Sequence, residues 1–159
     1  MKSNPDFGRL YGNRSRRTLQ RKDSRGVDWP EKDCFPSVGS CQLLINNIKR
    51  AEIFHDFCDA LRRFFGGASA KKFYLVQEEA TSDEVSEPLE FEVTSLSEIE
   101  RSRLFRSNYT SVLCDEDFTF ALKLHYERFG FLSGPVQLCE ALRASKVIAP
   151  VLEDVQWKS

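Results

Sequence analysis

The sequence lacks several features that would assign it to a broad functional class. No apolar run approaches the roughly 18 residues of a membrane-spanning helix, and the N-terminal stretch MKSNPDFGRLYGNRSRR has no apolar centre typical of a signal peptide. The chain also contains no G-x-x-x-x-G-K-[ST] or G-x-G-x-x-G phosphate loop and no G-x-S-x-G nucleophile motif. We therefore expect a cytoplasmic protein that contacts no membrane and uses no cofactor.

The sequence also has few cysteines and histidines at spacings typical of a metal site or a catalytic pair. The chain has two histidines and five widely spaced cysteines, with no C-x-x-C pair. An odd cysteine count without a signal peptide predicts reduced thiols in a cytosol-like compartment. Structural zinc sites draw on tight cysteine pairs, so no metal site is expected. The cysteines are Cys34, Cys41, Cys58, Cys114 and Cys139.

A small Cys/His-dependent enzyme is the least favoured of three functions. Cys114 and His125 are expected on neighbouring strands, where a thiol and an imidazole can act as nucleophile and base. The hydrophobic pattern, however, places His125 on the solvent side of its strand, and no oxyanion-hole signature accompanies the pair. We therefore assign no catalytic residues and expect a protein that is not an enzyme.

What the sequence does have is an uneven distribution of charge. Residues 1–30 carry eight Lys/Arg against three Asp/Glu, a balance of about +5, and the remaining residues carry about −6, for a total of −1. Residues 78–117 alone hold twelve acids and three arginines, a balance of −9. Such asymmetry is typical of chains that recognise a charged partner.

Residues 1–38 are predicted to form a flexible basic N-terminal arm, because they contain few aliphatic residues, three prolines and nine of the chain's 23 Lys/Arg residues. The motif VDWP offers Trp29 as an anchor that packs back on the domain. Arginines interleaved with a tyrosine suit a phosphate backbone, an acidic protein surface or the domain's own acidic face. The alternative function is therefore a nucleic-acid-associated protein that binds through Arg14, Arg16, Arg17, Arg21 and Lys22.

Residues 39–159 are predicted to form a single α+β domain. Short connections favour a mainly antiparallel sheet of about five to six strands, with two or three helices packed on one face. Strands are predicted at 41–48, 72–77, 89–96, 109–114 and 118–127, with a last edge strand within 147–157. Helices are predicted at 50–67, 95–108 and 133–146.

The segment CDED, at 114–117, lies between two apolar runs. From Phe118 to Glu127, apolar and other residues alternate, which favours a strand whose apolar residues point inward. A helix over the same residues is the alternative, but it would expose Phe120 and Leu124 and forgo about 3–6 kcal/mol of burial, at about 1.5–3 kcal/mol each. If residues 118–127 form a strand, CDED forms the turn of a β-hairpin.

Carboxylates then concentrate on one region of the predicted sheet. Glu90 and Glu92 line the outer face of one strand, and the hairpin turn adds three more. Three adjacent acids lack the alternating positions and the glycine of a calcium loop, so a protein partner is favoured over a cation. The first hypothesis is a non-enzymatic protein-binding module that engages a basic partner through Glu90, Glu92, Asp115, Glu116 and Asp117.

The combination of an α+β domain, an acidic face and no catalytic signature resembles the small inhibitor and immunity proteins of bacteria. Such proteins neutralise a toxin by covering its basic active site with acidic side chains. The resemblance lies in architecture and charge and includes no shared motif, so no residue role is transferred. It implies a basic protein partner such as a toxin or a nuclease.

Overall fold

The structure, a computed structural model, describes residues 38–66, 71–77, 88–106, 110–125 and 128–155. The predicted basic arm, apart from its last residue, lies outside the described residues, as do its five candidate nucleic-acid-binding side chains. In chain order the elements are β1 (Cys41–Ile45), α1 (Ala51–Phe64), β2 (Lys72–Gln77), β3 (Leu89–Glu92), a first 3-10 helix (Val93–Arg101), α2 (Arg103–Arg106), β4 (Ser111–Asp115), β5 (Ala121–Leu124), β6 (Gly130–Gly134), α3 (Val136–Arg143), a second 3-10 helix (Ala149–Val151) and β7 (Leu152–Asp154).

The strands form one sheet in the order β3-β2-β4-β5-β6-β1-β7, and all neighbouring strands are antiparallel. The predicted α+β class is therefore confirmed, although the described residues form a sheet of seven strands where five to six were expected. The additional strand is β6, whose sequence GFLSG carries little strand propensity because glycine and serine offer the sheet few side-chain contacts. It nevertheless pairs with both β5 and β1.

The main core lies between one face of the sheet and the helices. Helix α1 contributes an apolar stripe at helical spacing, and α3 and the first 3-10 helix pack beside it. The largest side chains that are almost completely buried there include Phe54, Phe57, Phe73 and Phe120. Burial of each such ring contributes about 1.5–3 kcal/mol of transfer free energy, so this face accounts for much of the stability.

The opposite face of the sheet, here called the second face, is also apolar and buried. It carries two clusters in which every core residue is at most 9% exposed. Among the described residues, both clusters consist of strand and loop side chains, with no member from a helix. The clusters comprise Tyr74, Val76, Val112, Cys114, Phe118 and Ala121, with Val38 packed against them, and Leu44, Phe129 and Phe131, with Val155 packed against them.

The hairpin predicted around CDED is present, with β4 and β5 paired on either side of the turn. The strand interpretation of 118–127 is confirmed over residues 121–124, but the predicted orientation of Phe118 and the predicted exposure of His125 were wrong. Phe118 adopts a left-handed backbone (φ 53°) and packs on the second face, so it does not extend the inward row. His125 is only 8% exposed, because the face expected to meet solvent is buried.

A 3-10 helix replaces most of the helix predicted at 95–108 and ends the preceding strand at Glu92. Its buried residues Val93, Leu96 and Ile99 are spaced by three, which matches the period of a 3-10 helix and not that of an α-helix. The helix predicted at 133–146 is shorter than expected. It begins at Val136, because β6 extends to Gly134 and Pro135 caps the helix with an extended backbone.

A disulfide joins Cys41, at the start of β1, to Cys139 in α3, so the prediction of reduced thiols was wrong for these two residues. Both side chains point into the layer between sheet and helices, which brings together two cysteines 98 positions apart in the sequence. Cys58 and Cys114 are free and buried. The cysteine-based argument for a cytosol-like compartment therefore no longer holds.

Candidate acidic interface

The sheet order brings the predicted carboxylates together. Strand β2 lies between β3 and β4, with Lys72 opposite Glu92. The backbone N–H of Glu116 donates to the Lys72 carbonyl oxygen at 3.0 Å, and the N–H of Lys72 donates to Glu116 Oε1 at 3.3 Å. One end of three adjacent strands thus carries what we call the acidic corner: Glu90, Glu92, Asp115, Glu116 and Asp117.

Asp115 differs from the other members because its side chain is fully buried. Its Oδ1 accepts the backbone N–H groups of Thr119 at 2.6 Å and Phe120 at 3.2 Å, which holds the β4–β5 turn. Asp115 lies opposite Phe73 in the sheet and shares with it the side that faces the helices. Asp115 therefore determines the shape of the acidic corner but is not exposed to a partner. The carboxylates that a partner can contact are the other four of the corner.

Lys71 neutralises part of the corner. Its Nζ lies 3.1 Å from Asp115 Oδ2, also pairs with Asp117, and sits 5.4 Å from the centre of the Phe65 ring. Burial by itself lowers the pKa of Lys71, but the bonds and charges of Asp117 and Asp115 outweigh it and raise that pKa. Lys71 is therefore charged, and its ion pairs connect the start of β2 to the β4–β5 turn.

Glu90 and Glu92 project from β3 on the second face, as their pairing with Tyr74 and Lys72 requires. The Tyr74 hydroxyl donates to Glu90 Oε1 at 3.2 Å, and Lys72 Nζ lies 3.3 Å from the same oxygen. Burial, and then the bond to Glu90, raise the pKa of Tyr74. Within the described part of the chain, Glu92 forms no ion pair.

The electrostatic balance of the corner stays negative. Among the described residues, five carboxylates of the corner face two ammonium groups, those of Lys71 and Lys72, which leaves a net charge of −3. Glu90 and Asp117 have side chains 51% and 71% exposed, and Glu92 is exposed as well. Because nearby charges of one sign add their potentials, this corner attracts cationic groups and repels anionic ones.

The candidate Cys–His pair is not formed. Cys114 lies opposite Ala121, and His125 follows four residues later along the neighbouring strand, which separates the two residues by about 13 Å at 3.3 Å per residue. Burial raises the pKa of the Cys114 thiol far above its ordinary value, so the thiolate needed for attack is disfavoured. The His125 ring is instead stacked on Phe129, with 4.5 Å between ring centres.

The lysines and the tyrosine of the corner were missed by sequence reasoning. Lys71, Lys72 and Tyr74 belong to the run KKFYLV, which predicts only an ordinary strand at 72–77 with Lys71 directly before it. Only the pairing of β2 with both β3 and β4 places them among the acids. Across the described ranges, no three His, Cys, Asp or Glu side chains are grouped so as to hold a metal ion.

In the described part of the chain, no helix has the length and apolar character needed to cross a membrane. A comparison of the chain with protein-family models, with curated proteins and with solved structures finds no match. The chain's function must therefore be inferred from its own residues, and the acidic corner is the strongest feature for that inference.

Proposed function

We propose that this chain is a non-enzymatic protein-binding module whose acidic corner covers a basic surface of a partner protein. The observation that carries the proposal is the adjacency of β3, β2 and β4, which gathers four exposed or partly exposed carboxylates at one end of the sheet. These are Glu90, Glu92, Glu116 and Asp117.

The physics of exposed charges defines what such a corner does. An exposed ion pair contributes only about 0–1 kcal/mol, so the pairing of Lys72 with Glu90 is easily exchanged for a pairing with a partner's Lys or Arg. Complementary potentials instead accelerate encounter and fix orientation. The acidic corner therefore acts mainly on the association rate, and apolar contacts nearby, such as Leu89 at 36% exposure on the same strand, supply the affinity.

A basic active site, such as that of a toxin or a nuclease, is the kind of surface that suits the corner. Sites that bind phosphate groups concentrate Lys and Arg in a concave surface, and carboxylates on a rigid sheet end can occupy that surface in place of phosphate. In this form the module is an inhibitor or immunity-type protein that acts by occlusion. It needs no catalytic group of its own.

The proposal is tested by a differential capture experiment. The tagged full-length protein is incubated with lysate of the source organism, treated with nuclease, in parallel with Glu90→Lys/Glu92→Lys and with a control that makes the same charge change elsewhere. Glu98→Lys/Glu140→Lys is suitable because both residues are exposed and lie on helices, outside the strands and the turn that carry the corner. We expect a basic protein that the wild type and the control retain and the corner variant loses.

The captured partner then allows kinetic measurement. We expect the corner variant to associate at least about tenfold more slowly at low ionic strength, with a weaker salt dependence than the wild type. A partner held equally well by all three proteins would refute the acidic corner as the binding surface. Recovery that disappears with nuclease would instead favour the nucleic-acid alternative and the basic residues of the arm.

A further inference from the structure

We propose that the basic partner binds by adding an extended, antiparallel segment to the outer edge of β3, and that this segment alternates Lys or Arg with apolar residues. The inference rests on the proposed function, because it specifies the backbone form and the side-chain pattern that the acidic corner recognises. Two features of β3 point to it: the direction of its backbone N–H groups and the side chains on its two faces.

Backbone polar groups in β2 alternate between its two neighbouring strands. The N–H of Glu116 donates to the carbonyl oxygen of Lys72 at 3.0 Å, so the polar groups of Lys72 point toward β4. In an antiparallel strand these groups point to opposite sides at successive residues. The polar groups of Phe73 and Leu75 therefore point toward β3.

The same alternation decides which backbone groups of β3 point away from the sheet. Phe91 and Leu89 lie opposite the two β2 residues that point toward β3, so their polar groups are directed to β2. Glu90 and Glu92 alternate with them and direct their N–H groups outward. In the described part of the chain, β2 is the only strand that pairs with β3, and neither outward N–H has an acceptor. Another strand can therefore pair at this edge.

The two faces of β3 carry different side chains. Leu89 and Phe91 lie on the face that packs against the helices, and Leu89 is 36% exposed. Glu90 and Glu92 lie on the second face, where the Glu90 side chain is 51% exposed and Glu92 is exposed as well. Cβ atoms directly opposite each other on adjacent strands are about 4.5–5.5 Å apart. An added strand therefore places one side chain beside each carboxylate and apolar side chains beside Leu89 and Phe91.

The charge of this edge favours a basic segment over a second copy of the chain. Opposite charges at directly opposed positions stabilise a strand pair, and like charges destabilise it. A second β3 would bring its own Glu90 and Glu92 against the same two carboxylates. Charged side chains on edge strands oppose self-association in this way, whereas Lys or Arg at the two opposed positions pairs with both acids. The mode is strand addition, in which main-chain hydrogen bonds add to side-chain recognition.

The test uses the full-length protein and a short peptide, blocked at both ends, in which lysine and valine alternate. In the antiparallel pairing the lysine N–H groups face β3 and the valine N–H groups face away. Methylation of the lysine backbone nitrogens therefore removes the hydrogen bonds to β3. The matched control, methylated on the valine nitrogens, keeps them at the same charge. We expect the lysine-methylated peptide to bind at least about tenfold more weakly than the control.

Amide hydrogen exchange distinguishes strand addition from attraction by charge alone. The unmethylated peptide should slow exchange at Glu90 and Glu92 at least several-fold and leave Phe91, which is bonded to β2, nearly unchanged. Equal affinities of the two methylated peptides, with fast exchange retained at Glu90 and Glu92, would overturn strand addition. Failure of the unmethylated peptide to bind would overturn it too. The proposed function is decided separately, by the capture experiment with Glu90→Lys/Glu92→Lys.

A pair of variants tests the same contact from the side of the protein. Glu90→Pro and Glu90→Ala both remove the carboxylate, but only proline also removes the outward N–H. Edge strands accept proline where the N–H faces away from the sheet. We expect the proline variant to bind the unmethylated peptide at least about fivefold more weakly than the alanine variant. Equal binding would contradict the proposal. Should the proline variant fail to fold, the two methylated peptides still decide the question.

Discussion

The ammonium group of Lys71 lies 3.1 Å from the carboxylate of Asp115, which is fully buried where β4 passes into its turn. The other oxygen of that carboxylate accepts the N–H groups of Thr119 and Phe120. One buried acid thus joins the start of β2 to the turn that displays Glu116 and Asp117. The geometry of the acidic corner depends on this link.

Replacing Lys71 by Met should destabilise the protein by about 3 kcal/mol, because removal of one partner leaves a buried charge uncompensated. Lys72→Met is the matched control. It removes a half-exposed ion pair with Glu90 and should cost less than about 1 kcal/mol. Urea denaturation of both variants measures the difference. Equal and small losses would mean that Asp115 is stabilised by its turn amides alone.

The stability of the protein should decline at alkaline pH partly through Cys58. Burial raises the pKa of this thiol from 9.0 to about 12. Between these values the unfolded chain loses the proton and the folded chain keeps it, so the free energy of unfolding falls as pH rises.

Chemical denaturation from pH 8 to pH 12 measures this effect. Cys58→Ala should flatten the decline above pH 9 by up to about 1.4 kcal/mol per pH unit. The raised pKa of Lys71 predicts a further loss above 10.5 that both proteins share. Parallel curves for wild type and variant would contradict a buried, protonated Cys58.

Reduction of the disulfide should lower the free energy of unfolding by about 2–4 kcal/mol. The bond between Cys41 and Cys139 closes a loop of 98 positions, which restricts the unfolded chain. Denaturation with and without a thiol reductant measures the loss. Cys41→Ser/Cys139→Ser should show the lower stability from the start and no response to reductant. A wild type insensitive to reductant would show that the bond contributes little.

Gly39 should tolerate no side chain. A Cβ at this position would lie 2.2 Å from the carbonyl oxygen of Gly134, so the backbone before β1 would have to move away from β6. We expect Gly39→Ala to lower stability by about 1–3 kcal/mol, within the range of overpacking. Ser40→Ala, at the exposed next position, is the control and should be nearly neutral. Thermal unfolding of the two variants distinguishes them.

The elements with a strong pattern were predictable from the sequence. Helix α1 places Ile53, Phe57 and Leu61 at helical spacing, and β5 alternates between its two faces. Strand β6 was missed because Gly130, Ser133 and Gly134 have low strand propensity. These residues form a strand because they pair with β5 on one side and β1 on the other. The 3-10 helix was missed because the predicted strand ran to Leu96 and the predicted helix began at Ser95, which divided the buried residues Val93, Leu96 and Ile99 between two elements.

The candidate site was predictable in composition but not in geometry. The carboxylates of the acidic corner stand out in the charge distribution, yet the burial of Asp115 depends on Lys71, which lies 44 positions earlier in the chain. The disulfide depends in the same way on two distant cysteines that only the packed fold brings together. Contacts of this range follow from strand order, and local patterns do not encode strand order.

The position of β1 between β6 and β7 has a consequence for the order of events during synthesis. Cys41 pairs with Gly134, 93 positions further along, so β1 waits for its neighbour while most of the domain is made. At about 5–20 residues per second, that interval is roughly 5–20 s. The hairpins formed by β2, β3, β4 and β5 can assemble meanwhile, whereas Leu43, Leu44 and Ile45 stay unpaired. The nascent chain is therefore most prone to aggregation through its first strand, and β7, which pairs with β1 at the edge of the described sheet, can join the sheet only after β1 has paired with β6.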